Sequence, residues 1–285
     1  MTIQEAKRHI STSLSAVMDA SEADATAKLI LEEVKGYTAV ELLMHAQRTL
    51  LPETEERIES IIRRIKGGMP AQYALGTAWF HGRKFSVNPS VLIPRPETSQ
   101  LIDIISDRWG KTSDLSVLDI GTGSGCIAIS LALDLPFAQV KAVDISADAL
   151  DTAKDNAKNL HAKVDFIKAD AFDLQSCPDV EKSEFDIIVS NPPYVLESER
   201  DDIDPRVKDH EPAMALFVPD DKKTAIYSAI IGFAFSHLND RGMLYLEINP
   251  LCDSEILAML EKAGFSHSEI VADYKGAKRF AIANK

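Results

Sequence analysis

Cysteine is scarce in this chain, and none of it is clustered. Cys126, Cys177 and Cys252 are the only three. Their wide separation fits neither a metal-binding spacing nor a disulfide framework, so free thiols in a reducing compartment are expected. The seven histidines are scattered, with no pair at a ligand-like spacing, and no metal is expected. Long apolar runs are missing as well. The most apolar stretch, AIYSAIIGFAF (225–235), is too short to span a bilayer. The polar start from Gln4 to Arg8 has no apolar signal core behind it, so a cytoplasmic protein with no membrane partner is expected. Positive charge is in deficit: 31 Lys and Arg stand against 44 Asp and Glu, a net charge of −13. Residues 1–75 carry 9 basic and 11 acidic side chains, and the remainder carries 22 and 33. The acidity therefore lies in the larger part. That argues against a protein that tracks a nucleic-acid backbone, which needs clustered Lys and Arg. Direct nucleic-acid binding is not expected, although a local basic patch is compatible with the net charge.

Proline and glycine are nearly absent from residues 1–66, with only Pro52 and Gly36. Apolar residues recur there at helical spacing: Ala27, Ile30, Leu31, Val34, then Ile58, Ile61, Ile62, Ile65. Asp24 and Pro52-Glu53 read as helix starts, Gly36 and Gly67-Gly68 as stops. The pattern predicts a bundle of four or five helices over 1–70, too thin in core to stand easily alone. Residues 71–92 switch to alternating Gly, aromatic and β-branched types, and His81-Gly82-Arg83-Lys84 reads as the turn of a hairpin connector. A third region, 93–285, alternates strands (116–120, 139–145, 163–169, 185–190, 243–248) with helices (98–108, 124–134, 147–159, 222–238, 253–263). This is an α/β pattern with a mostly parallel sheet covered on both faces. Two final runs, 268–274 and 278–283, are joined by Lys275-Gly276-Ala277, and the sheet should end in an antiparallel hairpin. The charged stretch 195–221 predicts a long loop, as a lid or a substrate-facing segment.

The chemistry-bearing residues fall at strand ends. The apolar run FDIIVS (185–190) stops at Asn191-Pro192-Pro193-Tyr194. At the carboxyl edge of an open α/β sheet, where ligands bind, this places an amide side chain beside a rigid backbone carbonyl. Asn191 Oδ1 and the Pro192 carbonyl could each accept one hydrogen of a planar amino group and aim its nitrogen lone pair at an electrophilic methyl. Such acceptors also stabilise the positive charge that develops on that nitrogen, and positioning supplies the remaining acceleration. Tyr194 would pack on the flat substrate group. The plainer alternative is a proline strand terminator.

A second strand leads into Gly121-Thr122-Gly123-Ser124-Gly125, then a helix. These glycines let backbone approach a ligand, and the helix start offers free N–H groups. A dinucleotide site would want Gly or Ala at 126, where Cys126 stands; the spacing suits S-adenosylmethionine instead. Asp144 at the next strand end could accept from a ribose diol, with Ser146 as the better helix cap. Asp170 could accept from an adenine amino group, flanked by Ala171 and Phe172, or serve as a turn residue.

LIPRPET (92–98), VLDIGTGSG (117–125), the Asp144 strand end, SNPPY (190–194) and HEPAMAL (210–216) together carry a resemblance. The chain resembles the bacterial peptide chain release factor N5-glutamine methyltransferases over nearly its whole length. The resemblance implies a Rossmann-like class I S-adenosylmethionine-dependent methyltransferase behind a helical domain that helps recognise class I release factors, with the Gly-Gly-Gln glutamine as substrate. It places cofactor contacts on Gly121 to Gly125, Asp144, Ala171 and Asn191, and the glutamine-binding motif on Asn191, Pro192, Pro193 and Tyr194. Ala171 departs from relatives with an aromatic ring at that position. Arg95, bracketed by prolines, favours the release factor over a ribosomal protein glutamine. Methylation of an exocyclic adenine amino group shares the Asn-Pro-Pro-aromatic motif but demands base capture and a phosphate grip. A nucleotide-dependent oxidoreductase and a non-catalytic S-adenosylmethionine binder are the readings from other classes.

Overall fold

The computed structural model describes all 285 residues, which divide into two compact units: Met1–Thr77 with Pro205–His210, and Ala78–Asp204 with Glu211–Lys285. The first is helical: α1 (Ile3–Leu14), α2 (Ala20–Lys35), α3 (Ala39–Met44), α4 (Pro52–Lys66) and α5 (Ala71–Leu75). Reciprocal capping boxes start α1 (Thr2 with Glu5) and α3 (Thr38 with Glu41). Asp24 does not start α2. That role belongs to Asp19, which has extended backbone and accepts a hydrogen bond from the Glu22 amide. One apolar seam, including Ile10, Leu14, Ile30, Leu31, Ile58 and Ile62, fills the interior. Arg64 donates to the Tyr73 and Ala74 carbonyls, both at 3.0 Å, and so satisfies the end of α5. Arg206 pairs with Glu22 within the same unit.

A hairpin of β1 (Thr77–Phe80) and β2 (Arg83–Ser86) follows. Its two turn residues, His81 and Gly82, have φ of 47° and 71°, the positive values a two-residue turn requires. The remaining elements are α6 (Pro96–Trp109), β3 (Ser116–Ile120), α7 (Cys126–Asp134), β4 (Gln139–Asp144), α8 (Ala147–Asn159), β5 (Asp165–Lys168), α9 (Pro178–Glu181) and β6 (Phe185–Ser190). They continue with β7 (Val195–Leu196), α10 (Pro205–Lys208), α11 (Ala213–Leu216), β8 (Phe217–Val218), α12 (Ala225–His237), β9 (Leu238–Glu247), α13 (Asp253–Ala263), β10 (His267–Ala272) and β11 (Lys278–Asn284).

Seven strands form one sheet in the order β10-β11-β9-β6-β3-β4-β5. The five from β9 to β5 run parallel, and β11 pairs antiparallel with both β9 and β10. The parallel strands are apolar on both faces because both are covered. Leu118, Ile188, Leu244 and Leu246 pack with residues of α12 and α13; Val117, Ile187, Val189 and Tyr245 pack with residues of α6 and α7. Segment 195–221 is not the plain loop expected from its charge. It contains the parallel pair β7–β8 and short helical turns, tied down by Ser198 to Asp220 and by the Leu196 amide to Glu199 at 2.9 Å. No helix is long and apolar enough to cross a membrane.

Candidate active site

Chain order reverses on either side of β3, which has β4 on one edge and β6 on the other. Such a point opens a crevice at the carboxyl ends of the strands. In register, Ile120 lies beside Val143 and Ser190, and the Ser190 hydroxyl donates to the Ile120 carbonyl at 2.7 Å. The residues that follow these strands are therefore brought abreast. A cavity of about 460 Å³ opens there, lined among others by Gly121, Thr122, Gly123, Ser124, Asp144, Asp170, Ala171, Asn191 and Pro193. Gly125, Pro192 and Tyr194 do not line it.

The glycines divide by role. Gly121 and Gly123 have φ of 76° and 55°, and a methyl built on either would meet no protein atom within 4 Å. Their backbone borders open space. At Gly125 a methyl would meet Ile129 Cδ1 at 2.8 Å and Ala153 Cβ at 3.1 Å, so this glycine allows α7 and α8 to pack closely. Asp144 is not free as the sequence suggested. The Gly123 amide donates to its Oδ2 at 2.8 Å and the Ser146 amide to its Oδ1 at 2.9 Å, while Ser146 does cap α8. Each oxygen retains a lone pair for a further donor. Asp170 lies two residues beyond β5 and accepts from the Phe172 amide at 2.9 Å, a turn-forming bond. Phe172 is largely exposed beside the cavity.

Several polar side chains to which the sequence assigns no role brace these strand ends. Asp119 is fully buried; Thr122 Oγ1 (2.7 Å) and the Ala128 amide (3.2 Å) donate to its Oδ2, which braces the glycine turn against α7. Burial pushes its carboxyl up to about 7. Asn156 on α8 donates to the Ser124 carbonyl at 2.9 Å and to the Ser86 carbonyl at 3.0 Å, pinning the same turn. Glu247, at the end of β9, is also buried. Its Oε2 accepts from Thr98 Oγ1 at 2.6 Å and its Oε1 from the Tyr194 hydroxyl at 3.1 Å. Thr98 Oγ1 in turn accepts from Asn191 Nδ2 at 3.2 Å. Arg279 donates to the Tyr194 hydroxyl at 3.3 Å and is paired with Asp273. Burial raises the Glu247 carboxyl, and burial followed by Glu247 raises the Tyr194 hydroxyl, so Tyr194 stays protonated and is no base. Arg95 pairs with buried Glu211 at 2.7 Å, and the Ile93 amide donates to the same carboxylate at 3.0 Å. The RPE and HEP motifs thus hold each other.

Residues 98–206 match the family described as Methyltransferase small domain, and residues 5–76 match the PrmC N-terminal domain. A release factor glutamine methyltransferase of Bacteroides thetaiotaomicron is 39% identical over 97% of this chain and 98% of its own length. One from Flavobacterium psychrophilum is 37% identical over 100% of this chain and 99% of its own. This chain belongs to the release factor glutamine methyltransferase family. It is an S-adenosylmethionine-dependent protein-glutamine methyltransferase. Solved structures agree on the fold. The T. thermophilus 16S rRNA N2 G1207 methyltransferase, in complex with AdoMet and guanosine, aligns with TM-score 0.52 at 20% identity, covering 73% of this chain and 49% of that one. A Pyrococcus furiosus methyltransferase aligns with TM-score 0.51 at 18% identity, covering 82% and 99%. The cavity suits the methyltransferase's cofactor: open glycine backbone, a carboxylate with spare lone pairs at Asp144, and an apolar margin at Ile145, Ala171 and Phe172.

Proposed function

We propose that this enzyme methylates the side-chain amide nitrogen, N5, of the glutamine in the Gly-Gly-Gln motif of class I peptide chain release factors, in the cytoplasm. The observation that carries this reading is the place of Asn191. It follows directly on β6 and lines the same cavity as Gly121–Ser124 and Asp144. In this reading Asp144 holds the ribose diol, the glycine turn holds the amino-acid portion, and Asp170, Ala171 and Phe172 surround the adenine of S-adenosylmethionine. When bound, the cofactor would supply an electrophilic sulfonium methyl to the amide nitrogen, with the thioether as leaving group.

The chain's own residues supply polarity and position. Asn191 Oδ1 and the Pro192 carbonyl accept the two amide hydrogens and draw nitrogen electron density forward. They also stabilise the positive charge that grows on nitrogen during transfer. The quaternised amide nitrogen is strongly acidic and releases its proton to solvent, so no side chain of high basicity is required. Tyr194, held by Glu247 and Arg279, fixes the turn that carries these acceptors. Incubation with methyl-labelled S-adenosylmethionine and purified release factor, followed by mass mapping, tests the reading. Label on the Gly-Gly-Gln glutamine supports it; an unlabelled release factor, with label taken up by a ribosomal protein or nucleic acid offered in its place, overturns it.

A further inference from the structure

We infer that Thr98 and Glu247 are positioning residues that set which end of the Asn191 amide faces the substrate. The inference rests on the glutamine-methylation reading above and adds to it the groups that make Asn191 an acceptor rather than a donor. A carboxamide is nearly symmetric in shape, and rotation by 180° exchanges a hydrogen-bond acceptor for a donor. Only the orientation with Oδ1 toward the substrate receives an amide N–H; the opposite one sets two N–H groups against two others. Something in the protein must therefore decide between them.

The decision is made by a chain of single protons. Thr98 Oγ1 has one hydrogen, and it is given to Glu247 Oε2 at 2.6 Å. Toward Asn191 this hydroxyl can therefore only accept, and it accepts from Nδ2 at 3.2 Å. A rotated amide would press Oδ1 against an oxygen with no hydrogen to share. Oδ1 is left with no partner inside the protein, on a residue that lines the cavity. The other oxygen of Glu247 is occupied by the Tyr194 hydroxyl at 3.1 Å, so the carboxylate is held at both ends and accepts at both as long as it is ionised. A buried carboxylate is costly to keep, and Thr98 and Glu247 come from α6 and β9, 149 residues apart. Packing alone would be served as well by apolar residues.

The relay has a defined failure. If Glu247 gains a proton it can donate to Thr98, whose hydrogen then turns toward Asn191 and stabilises the rotated amide. The groups facing Glu247 are Thr98 and Glu97 of α6, Cys126 of α7, Tyr194 after β6, Arg279 of β11 and Tyr227 of α12. Burial already raises its carboxyl. The wild-type kcat should therefore fall on acidification.

The test compares three variants in the full chain. Thr98→Val keeps shape and removes the hydroxyl, and Thr98→Ser keeps the hydroxyl. Glu247→Gln keeps shape; the Tyr194 hydroxyl, which accepts from Arg279, donates to the amide oxygen and leaves the amide nitrogen to donate to Thr98. Thr98→Val and Glu247→Gln should each lower kcat by about 10²-fold, the usual effect of a misaligned reacting group. The S-adenosylmethionine Kd from calorimetry should stay within about 3-fold and the KM for the release factor should move little. Thr98→Ser should restore most of the lost rate, and the acid limb of the kcat profile should vanish in Thr98→Val. A Glu247→Gln or Thr98→Val enzyme with near-wild-type kcat overturns the inference, and either variant suffices if the other fails to fold. Unlabelled glutamine with wild-type enzyme sinks the functional reading and this inference together. Labelled glutamine with full-rate variants sinks this inference alone.

Discussion

The helical unit buries one polar side chain, Thr26, whereas the catalytic unit buries twelve, among them Asp119, Glu211, Glu247 and Asp273. The difference far exceeds the difference in size. Every buried polar group costs free energy unless it is matched. In the catalytic unit three of these four carboxylates are matched at both oxygens: Glu211 holds Ile93 and Arg95, Asp273 holds Lys275, Ala277 and Arg279, and Glu247 gathers Thr98 and Tyr194, whereas Asp119 braces the glycine turn through Oδ2 and its Oδ1 is buried without a partner. The helical unit is stabilised by an apolar seam with charge outside it. In the catalytic unit, part of that stability is exchanged for groups of fixed polarity around a cavity.

Removing function without stability should be easiest at Asn191. Asn191→Ala should lower kcat by about 10²–10³-fold, the loss seen when one preorganised charge-stabilising group is deleted. Thermal denaturation should show a melting temperature close to wild type, since the side chain is only half buried and makes one hydrogen bond inside the protein. Near-normal turnover would mean that the polar groups of the catalytic unit serve the fold and not the reaction.

The converse change belongs in the helical unit. Ile30 is fully buried in the seam. Ile30→Ala should cost about 2–4 kcal/mol of stability in denaturant titration, through lost transfer energy and a residual cavity. No residue of the helical unit lines the cavity, so the affinity for S-adenosylmethionine should not change. A large drop in that affinity would erase the distinction between the two units.

Their legibility differs for the same physical reason. Helical periodicity reports burial of apolar faces, so the seam from Ala27 to Ile65 and the strand FDIIVS were visible as spacing alone. The cofactor strand ends were visible too, because glycine and carboxylate types stand beside apolar runs. What stayed hidden is polar matching over long separations. Thr98 and Glu247 say nothing of each other until β9 and α6 bring them to 2.6 Å. Asp119 inside VLDIG looks like any strand-end acid, and only its complete burial marks it. Asp24 has the same chemistry as Asp19, five residues earlier, and only the extended backbone of Asp19 and its bond from the Glu22 amide mark the cap. The ordering of 195–221 rests on side chains such as Asn249, which donates to the Tyr194 carbonyl and to Glu199 from a distant segment.

Within the catalytic unit, Asp144→Ala should weaken binding of S-adenosylmethionine by about 1–3 kcal/mol, the cost of losing hydrogen bonds to a charged acceptor. Calorimetry gives the number directly. The KM for the release factor should stay near wild type, because the expected partner of Asp144 is the ribose. Unchanged cofactor affinity would reduce Asp144 to a brace for the Gly123 and Ser146 amides.

The finest test of the comparison is the pH dependence of folding. Asp119 has an ordinary value of 3.8 and is pushed up to about 7 by burial, opposed by its hydrogen bonds from Thr122 and Ala128. Between those values the folded protein holds a proton that the unfolded chain releases. Stability from this group is thus fully present below pH 3.8 and is lost as pH rises through about 7. The Asp119→Asn variant cannot titrate there. Relative to that variant, wild type should lose about 1 kcal/mol between pH 6 and 7, close to the slope set by one proton. Urea titrations of both proteins at successive pH values read this difference, and Glu247 cancels because it is present in both. A difference that does not change with pH would show that Asp119 is ionised where it lies, and that the catalytic unit tolerates a bare buried charge beside its glycine turn.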